Sequence, residues 1–141
     1  MATAVRDLVE QGTVIFNKGD AEGFAALYAD DVVLTTPEGR FEGRPSTVTY
    51  LQAFLDACPG VEVTLGRGCE QGDLYAGEYR VAGTNTGPLP MPDGSQMPAT
   101  GKSFTLSAME MVRVADGAIV QHDLVWDNMS FMVQLGLVPP A

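Results

Sequence analysis

The chain has 141 residues, of which 45% are hydrophobic and 18% charged, and it carries a formal net charge of −10. That length fits a single domain over residues 1–141 with a sizeable core, and the apolar share excludes a disordered chain. So acidic a surface repels phosphate, and the eight Lys and Arg are scattered, so nucleic acid and anionic membranes are not expected partners. The two cysteines, Cys58 and Cys69, are too few for a disulfide framework and lack metal-ligand spacing; both are expected to be reduced and structural, with no metal site. Met1–Arg6 shows no apolar leader and no apolar run reaches the length of a membrane span, which makes a cytoplasmic protein the expectation.

Val5, Leu8, Val9, Val14, Ile15 and Phe16 recur at helical spacing and predict a first helix up to Asn17. Gly19 suits its C-cap and Asp20 the N-cap of a short second helix over 21–28. Ala29-Asp30-Asp31 leads into a strand over 32–36, Pro37-Glu38-Gly39 turns, and Phe41-Glu42-Gly43 completes a hairpin. A third helix is predicted over 45–57, with Pro45 in its first turn and an apolar stripe of Tyr50, Leu51, Phe54 and Leu55. Strands follow over 61–68 and 74–86. Residues 87–101 hold four of the nine prolines and predict an irregular loop. Strands over 104–114 and 118–126 meet at Asp116-Gly117, a strong hairpin signal. Helices first and a strand meander after them indicate the α+β class, a curved antiparallel sheet that can enclose a pocket.

Several stretches carry a resemblance. Asn17-Lys18-Gly19-Asp20, Phe24 through Leu27-Tyr28-Ala29-Asp30-Asp31-Val32, Gly39 through Gly43-Arg44, Gly83-Thr84-Asn85-Thr86-Gly87, Pro98-Ala99-Thr100-Gly101-Lys102, Asp116-Gly117-Ala118-Ile119-Val120 and Trp126-Asp127 with Gln134-Leu135-Gly136-Leu137 resemble the SnoaL-like polyketide cyclase and ester cyclase family. The resemblance implies a nuclear-transport-factor-2-like cone, with three N-terminal helices packed on the sheet, and commonly a homodimer. It also implies an aspartate near the end of the last strand that moves a proton beside a carbonyl, a place taken here by Asp127. The histidine common in the Gly-Thr-His-Thr-Gly stretch of relatives is Asn85 here. Ketosteroid isomerases of this fold carry an aspartate before the proline of the first-strand turn; Thr36 stands there, which disfavours that chemistry.

The segment Trp126-Asp127-Asn128 is therefore the expected working end. With a two-residue turn at Asp116-Gly117, Met111 stands opposite His122 and Glu110 opposite Asp123. One face then shows Met109, Met111, Val120, His122, Leu124 and Trp126, and the other Glu110, Asp123, Val125 and Asp127; a one-residue bulge would exchange the faces beyond it. His122 is the only histidine, the residue type suited to proton exchange at neutral pH, with a core histidine as the alternative. Asp127 is the expected general base or acid, with a helix N-cap as its competing role. Glu110 is a candidate donor to an enolate, or else a solvated strand residue. Asn85, on the Tyr75, Tyr79 and Val81 face, is a candidate ligand for a carbonyl oxygen, or else a turn amide. Met109 and Met111 belong to a methionine-rich C-terminal half that would suit an adaptable apolar pocket.

These readings make the expected protein a cofactor-independent acid–base enzyme, of the polyketide-cyclase kind, for a small apolar carbonyl-bearing substrate. Asp127 and His122 would be catalytic, with Trp126, Asn85, Tyr79, Met109, Met111 and Glu110 around the substrate. The alternatives are a non-catalytic binder of a hydrophobic small molecule, an isomerase or epoxide hydrolase of the same fold, and a dimerisation module.

Overall fold

A computed structural model describes residues 4–91 and 93–139; the Met1–Thr3 part of the stretch read for a leader, and Pro92 of the prolyl loop, lie outside them. Helix α1 (Val5–Asn17) buries Val5, Leu8, Val9 and Gly12 on one face. Gly12 lets the chain fold closely on itself, since a Cβ there would come within 3.0 Å of the Phe24 ring on α2 (Ala21–Ala25). Asp20 caps α2 by accepting from Gly23 N–H at 2.8 Å. That helix stops three residues short of the expectation. Tyr28 already belongs to β1 (Tyr28–Thr36), which forms a hairpin with β2 (Gly39–Glu42). Helix α3 (Arg44–Ala57) follows, with Pro45 in its first turn and Leu51 and Leu55 buried.

The remaining strands are β3 (Glu62–Gln71), β4 (Leu74–Thr84), β7 (Ser103–Ala115) and β8 (Ala118–Trp126), and α4 (Asn128–Gln134) closes the chain. Inside the prolyl stretch, β5 (Leu89–Pro90) and β6 (Gln96–Met97) form a small ladder of their own. The main sheet runs β2-β1-β8-β7-β4-β3. Every pair in it is antiparallel except β1 with β8. The helices cover one face, where Tyr28, Val32, Leu51, Leu55, Tyr75, Phe104, Leu106 and Phe131 form the core. This is the α+β cone expected from the sequence. No helix among the described residues is long and apolar enough to cross a membrane.

The β7–β8 hairpin decides what faces inward. Asp116 and Gly117 turn it with φ of 52° and 77°, the positive values a tight Asp-Gly turn requires. Ala115 pairs with Ala118 and Val114 with Ile119, but Arg113 then pairs with Gln121. Val120 is an extra residue, a β-bulge, and it shifts the rest of the strand by one. Val112 therefore faces His122, Met111 faces Asp123 and Glu110 faces Leu124. The simple register placed Met111 opposite His122; the bulge overturns it. Glu110, His122, Leu124 and Trp126 turn toward the helices, whereas Met109 (58% exposed), Met111 (47%) and Val125 (64%) stand on the outer face.

Candidate active site

Between the sheet and α1–α3 lies a cavity of about 100 Å³. Its walls are mainly aromatic and aliphatic, with Phe16, Phe24, Phe54, Leu106, Leu124 and Phe131 among them. For scale, an apolar cavity of ~150 Å³ admits benzene, so six heavy atoms is about the upper limit for a ligand here. A larger polyketide would enter only if these walls moved.

On this apolar lining sits a chain of three polar groups. The Tyr28 hydroxyl lies 2.7 Å from His122 Nδ1, and His122 Nε2 lies 2.8 Å from Glu110 Oε1. The His122 and Glu110 side chains are 7% and 8% exposed, and Tyr28 is 1% exposed. Each member comes from a different strand: Tyr28 opens β1, Glu110 lies in the middle of β7 and His122 follows the bulge in β8. Phe24 stacks on the imidazole at 6.3 Å between ring centres and meets Tyr28 edge-on at 5.3 Å, shielding both from water. Burial, then the Glu110 carboxylate, then Tyr79 push the Tyr28 phenol well above its ordinary range. It therefore stays protonated and is able to donate to Nδ1, the direction that goes with the tautomer whose Nε2 hydrogen binds Glu110.

Two further tyrosines reach the cavity. Tyr50 donates to Glu38 Oε1 at 2.6 Å and stacks on Phe41, pinning α3 to the tip of the β1–β2 hairpin. Burial raises its phenol strongly, with Glu38 adding to the effect. Tyr79 is raised by burial first and by the Glu110 charge second. Phenols whose ionisation is suppressed on folding stabilise the chain fully below the unfolded value of about 10, and that stabilisation is lost as pH climbs toward the folded values. Spectrophotometric titration of the native protein just above pH ~10 should therefore show at most one tyrosinate, since burial raises the Tyr75 phenol as well. Tyr28, Tyr50 and Tyr79 should ionise only together with loss of near-ultraviolet circular dichroism. Two or more tyrosinates in a chain that keeps its dichroism would contradict this.

The other predicted residues take different places. Asp127 is exposed, does not line the cavity, and accepts from Ser130 N–H at 3.0 Å as the N-cap of α4. Its competing role as a cap is the one the structure displays. Met109 and Met111 are not cavity walls; Met109 lines instead a shallow outer hollow with Asp127 and Val125. Asn85 is fully buried and binds only protein: its amide donates to Ala57 O (2.8 Å) and Gly87 O (2.9 Å), and its oxygen accepts from Thr100 N–H (2.7 Å). It knits the end of β4 to α3 and the prolyl loop, as the turn-amide alternative has it. Trp126 lines the cavity, its indole N–H held by Asn128 Oδ1 at 3.1 Å. Tyr28 is the member of the site that sequence reasoning missed. It lies where a helix pattern gives way to a strand, and nothing in its spacing marks it.

Comparison with known proteins agrees with this architecture. The chain has the fold of the ketosteroid-isomerase-like and nuclear-transport-factor-2-like proteins. The family model for the SnoaL-like domain matches residues 5–122, and the chain belongs to that family. Among solved structures it is similar to IdmH of Streptomyces antibioticus, a candidate polyketide cyclase, at 27% identity and a TM-score of 0.75, over 95% of this chain and 99% of that one. A candidate SnoaL-like polyketide cyclase from a Jannaschia species is similar at 16% identity and a TM-score of 0.82, over 96% and 93% of the two chains. AclR of Streptomyces galilaeus, a candidate hydroxylase, is similar at 21% identity and a TM-score of 0.79, over 97% and 83%. None of the curated proteins matches the chain.

Proposed function

We propose that this protein is a cofactor-independent acid–base enzyme of the polyketide-cyclase kind, moving a proton on a small apolar molecule that carries a carbonyl group. The observation that supports the reading is the Glu110–His122–Tyr28 chain set into an otherwise apolar cavity. Burying a carboxylate and an imidazole costs several kcal/mol that hydrogen bonds only partly offset. A protein that merely held an apolar ligand would be better served by leucine at both places. A carboxylate held by an imidazole within an apolar pocket is the kind of arrangement proton-transfer sites use. The likeness to IdmH over nearly the whole of both chains adds to this reading.

The test uses cyclopentanone and methyl ethyl ketone, which match the cavity in size. In deuterium oxide, proton NMR should show the protein accelerating loss of the hydrogens beside the carbonyl. Asp127→Asn should exchange within about twofold of wild type, because asparagine also caps a helix. Saturable binding of both ketones without any exchange would instead establish a binding protein. A collapse of exchange in Asp127→Asn would return the catalytic role to that residue.

A further inference from the structure

We infer that Tyr79 donates its hydroxyl hydrogen to the carbonyl oxygen of the substrate, while Glu110 Oε2 takes the proton from the neighbouring carbon and His122 serves to position that carboxylate. The inference rests on the acid–base reading above and assigns its reacting atoms.

It follows from accounting for every polar side chain that lines the cavity. His122 has both ring nitrogens engaged, one with Tyr28 and one with Glu110, so neither is free to meet a substrate. The Tyr28 hydrogen is spent on His122. Tyr50 donates to Glu38, Thr13 donates to Val9 O at 2.9 Å, and the Trp126 indole donates to Asn128. Glu110 uses only Oε1. Two groups remain without a hydrogen-bond partner among the described residues: Glu110 Oε2 and the Tyr79 hydroxyl. No fully buried side-chain nitrogen or oxygen among these residues lacks a partner, so both atoms keep access to open space, and both residues line the cavity.

The two are complementary. One is an acceptor that can take a proton, and the other a donor that can hold a negative oxygen. They stand on adjacent strands, where Glu110 pairs with Gly77 and Tyr79 with Ala108, so they are diagonal neighbours on one face, ~7–8 Å apart at the backbone. Both side chains reach the same cavity, where the O=C–C–H unit of a ketone would lie between them. The Tyr79 phenol, raised by burial and by Glu110, remains a donor across the neutral range.

The step balances without any other reactant. The C–H bond beside the carbonyl breaks, its proton passes to Glu110 Oε2, and its electron pair forms the carbon–carbon double bond of an enolate. The carbonyl π pair moves onto the oxygen that Tyr79 holds. Returning the proton to carbon gives isomerisation or isotope exchange. Attack of the enolate carbon on a second carbonyl of the same molecule forms a carbon–carbon bond, and the proton passes from Glu110 to the new alkoxide.

Tyr79→Phe removes the donor and keeps the ring. It should slow deuterium exchange of cyclopentanone ~10²–10³-fold, as loss of one oxyanion donor does, with KM nearly unchanged. The infrared carbonyl band of bound cyclopentanone should lie at lower frequency in wild type than in Tyr79→Phe. Tyr75→Phe, on the same strand face but outside the cavity, should behave as wild type. Wild-type exchange with an equally fast Tyr79→Phe overturns the Tyr79 assignment and leaves the acid–base reading standing. A Tyr79-dependent band with no exchange in wild type overturns the acid–base reading and upholds the Tyr79 contact. Should Tyr79→Phe fail to fold, the wild-type band decides alone: a frequency equal to that of cyclopentanone in hexane overturns the contact.

Discussion

Glu110→Gln is expected to give a folded protein that has lost ~10²–10⁴-fold of its proton-transfer rate, the usual contribution of a positioned base. The amide oxygen of glutamine still accepts the His122 Nε2 hydrogen across the 2.8 Å contact, so the buried chain stays satisfied. What disappears is the group that can carry the proton. Urea unfolding and ketone exchange, measured on the same preparation, separate the two effects. Exchange at the wild-type rate would remove Glu110 from the mechanism and leave Tyr28 or an outside group to be considered.

The second large effect is on stability. Asn85→Ala removes all three hydrogen bonds of a fully buried amide at once. Ala57 O keeps the Gly87 N–H, so Gly87 O and Thr100 N–H are the stranded partners; at ~1–3 kcal/mol each, a total of about 2–4 kcal/mol is expected. For a domain of this size that corresponds to a melting temperature lowered by roughly 10 °C. The urea midpoint should fall with little change in slope, and the fraction still folded should keep its KM for cyclopentanone. A loss below about 1 kcal/mol, or a KM raised together with intact stability, would return Asn85 to the ligand. Gly87 belongs to the same knot. Its N–H binds Ala57 O at 3.0 Å, and a Cβ there would collide with the Asp56 carbonyl, so even alanine is excluded without moving the backbone.

The α+β cone is legible in the sequence because its signals are local. Helical spacing in α1, Pro45 at the start of α3 and Asp116-Gly117 at the hairpin each act within a few residues. The site is less legible because it depends on register. Ile119-Val120-Gln121 carries no compositional mark of a bulge, yet the extra Val120 turns Glu110 to the cavity beside His122 and leaves Met109 and Met111 outside. Alternation correctly kept Asn85 on the buried side of β4. The strand ends at Thr84, however, and the amide is consumed by the loop that follows. Asp127 enters the expectation through the family resemblance and its place at a strand end, and the structure shows it one residue past β8 as the N-cap of α4. Tyr28 could not be read from spacing because its role arises from a contact with His122 across 94 residues.

The bulge has a consequence for how such a protein can change. Val120 lies near the turn and away from the reacting groups, yet it sets which side chains of β8 accompany Glu110. Flattening the bulge, with the turn and Val120 kept, would pair Glu110 with Asp123 and turn His122 to the outer face without a single substitution in either residue. A family built on this hairpin can therefore exchange its acid–base equipment through a change of register instead of a series of point substitutions. Relatives that differ in whether this strand bulges need not share a mechanism, however closely their backbones superpose.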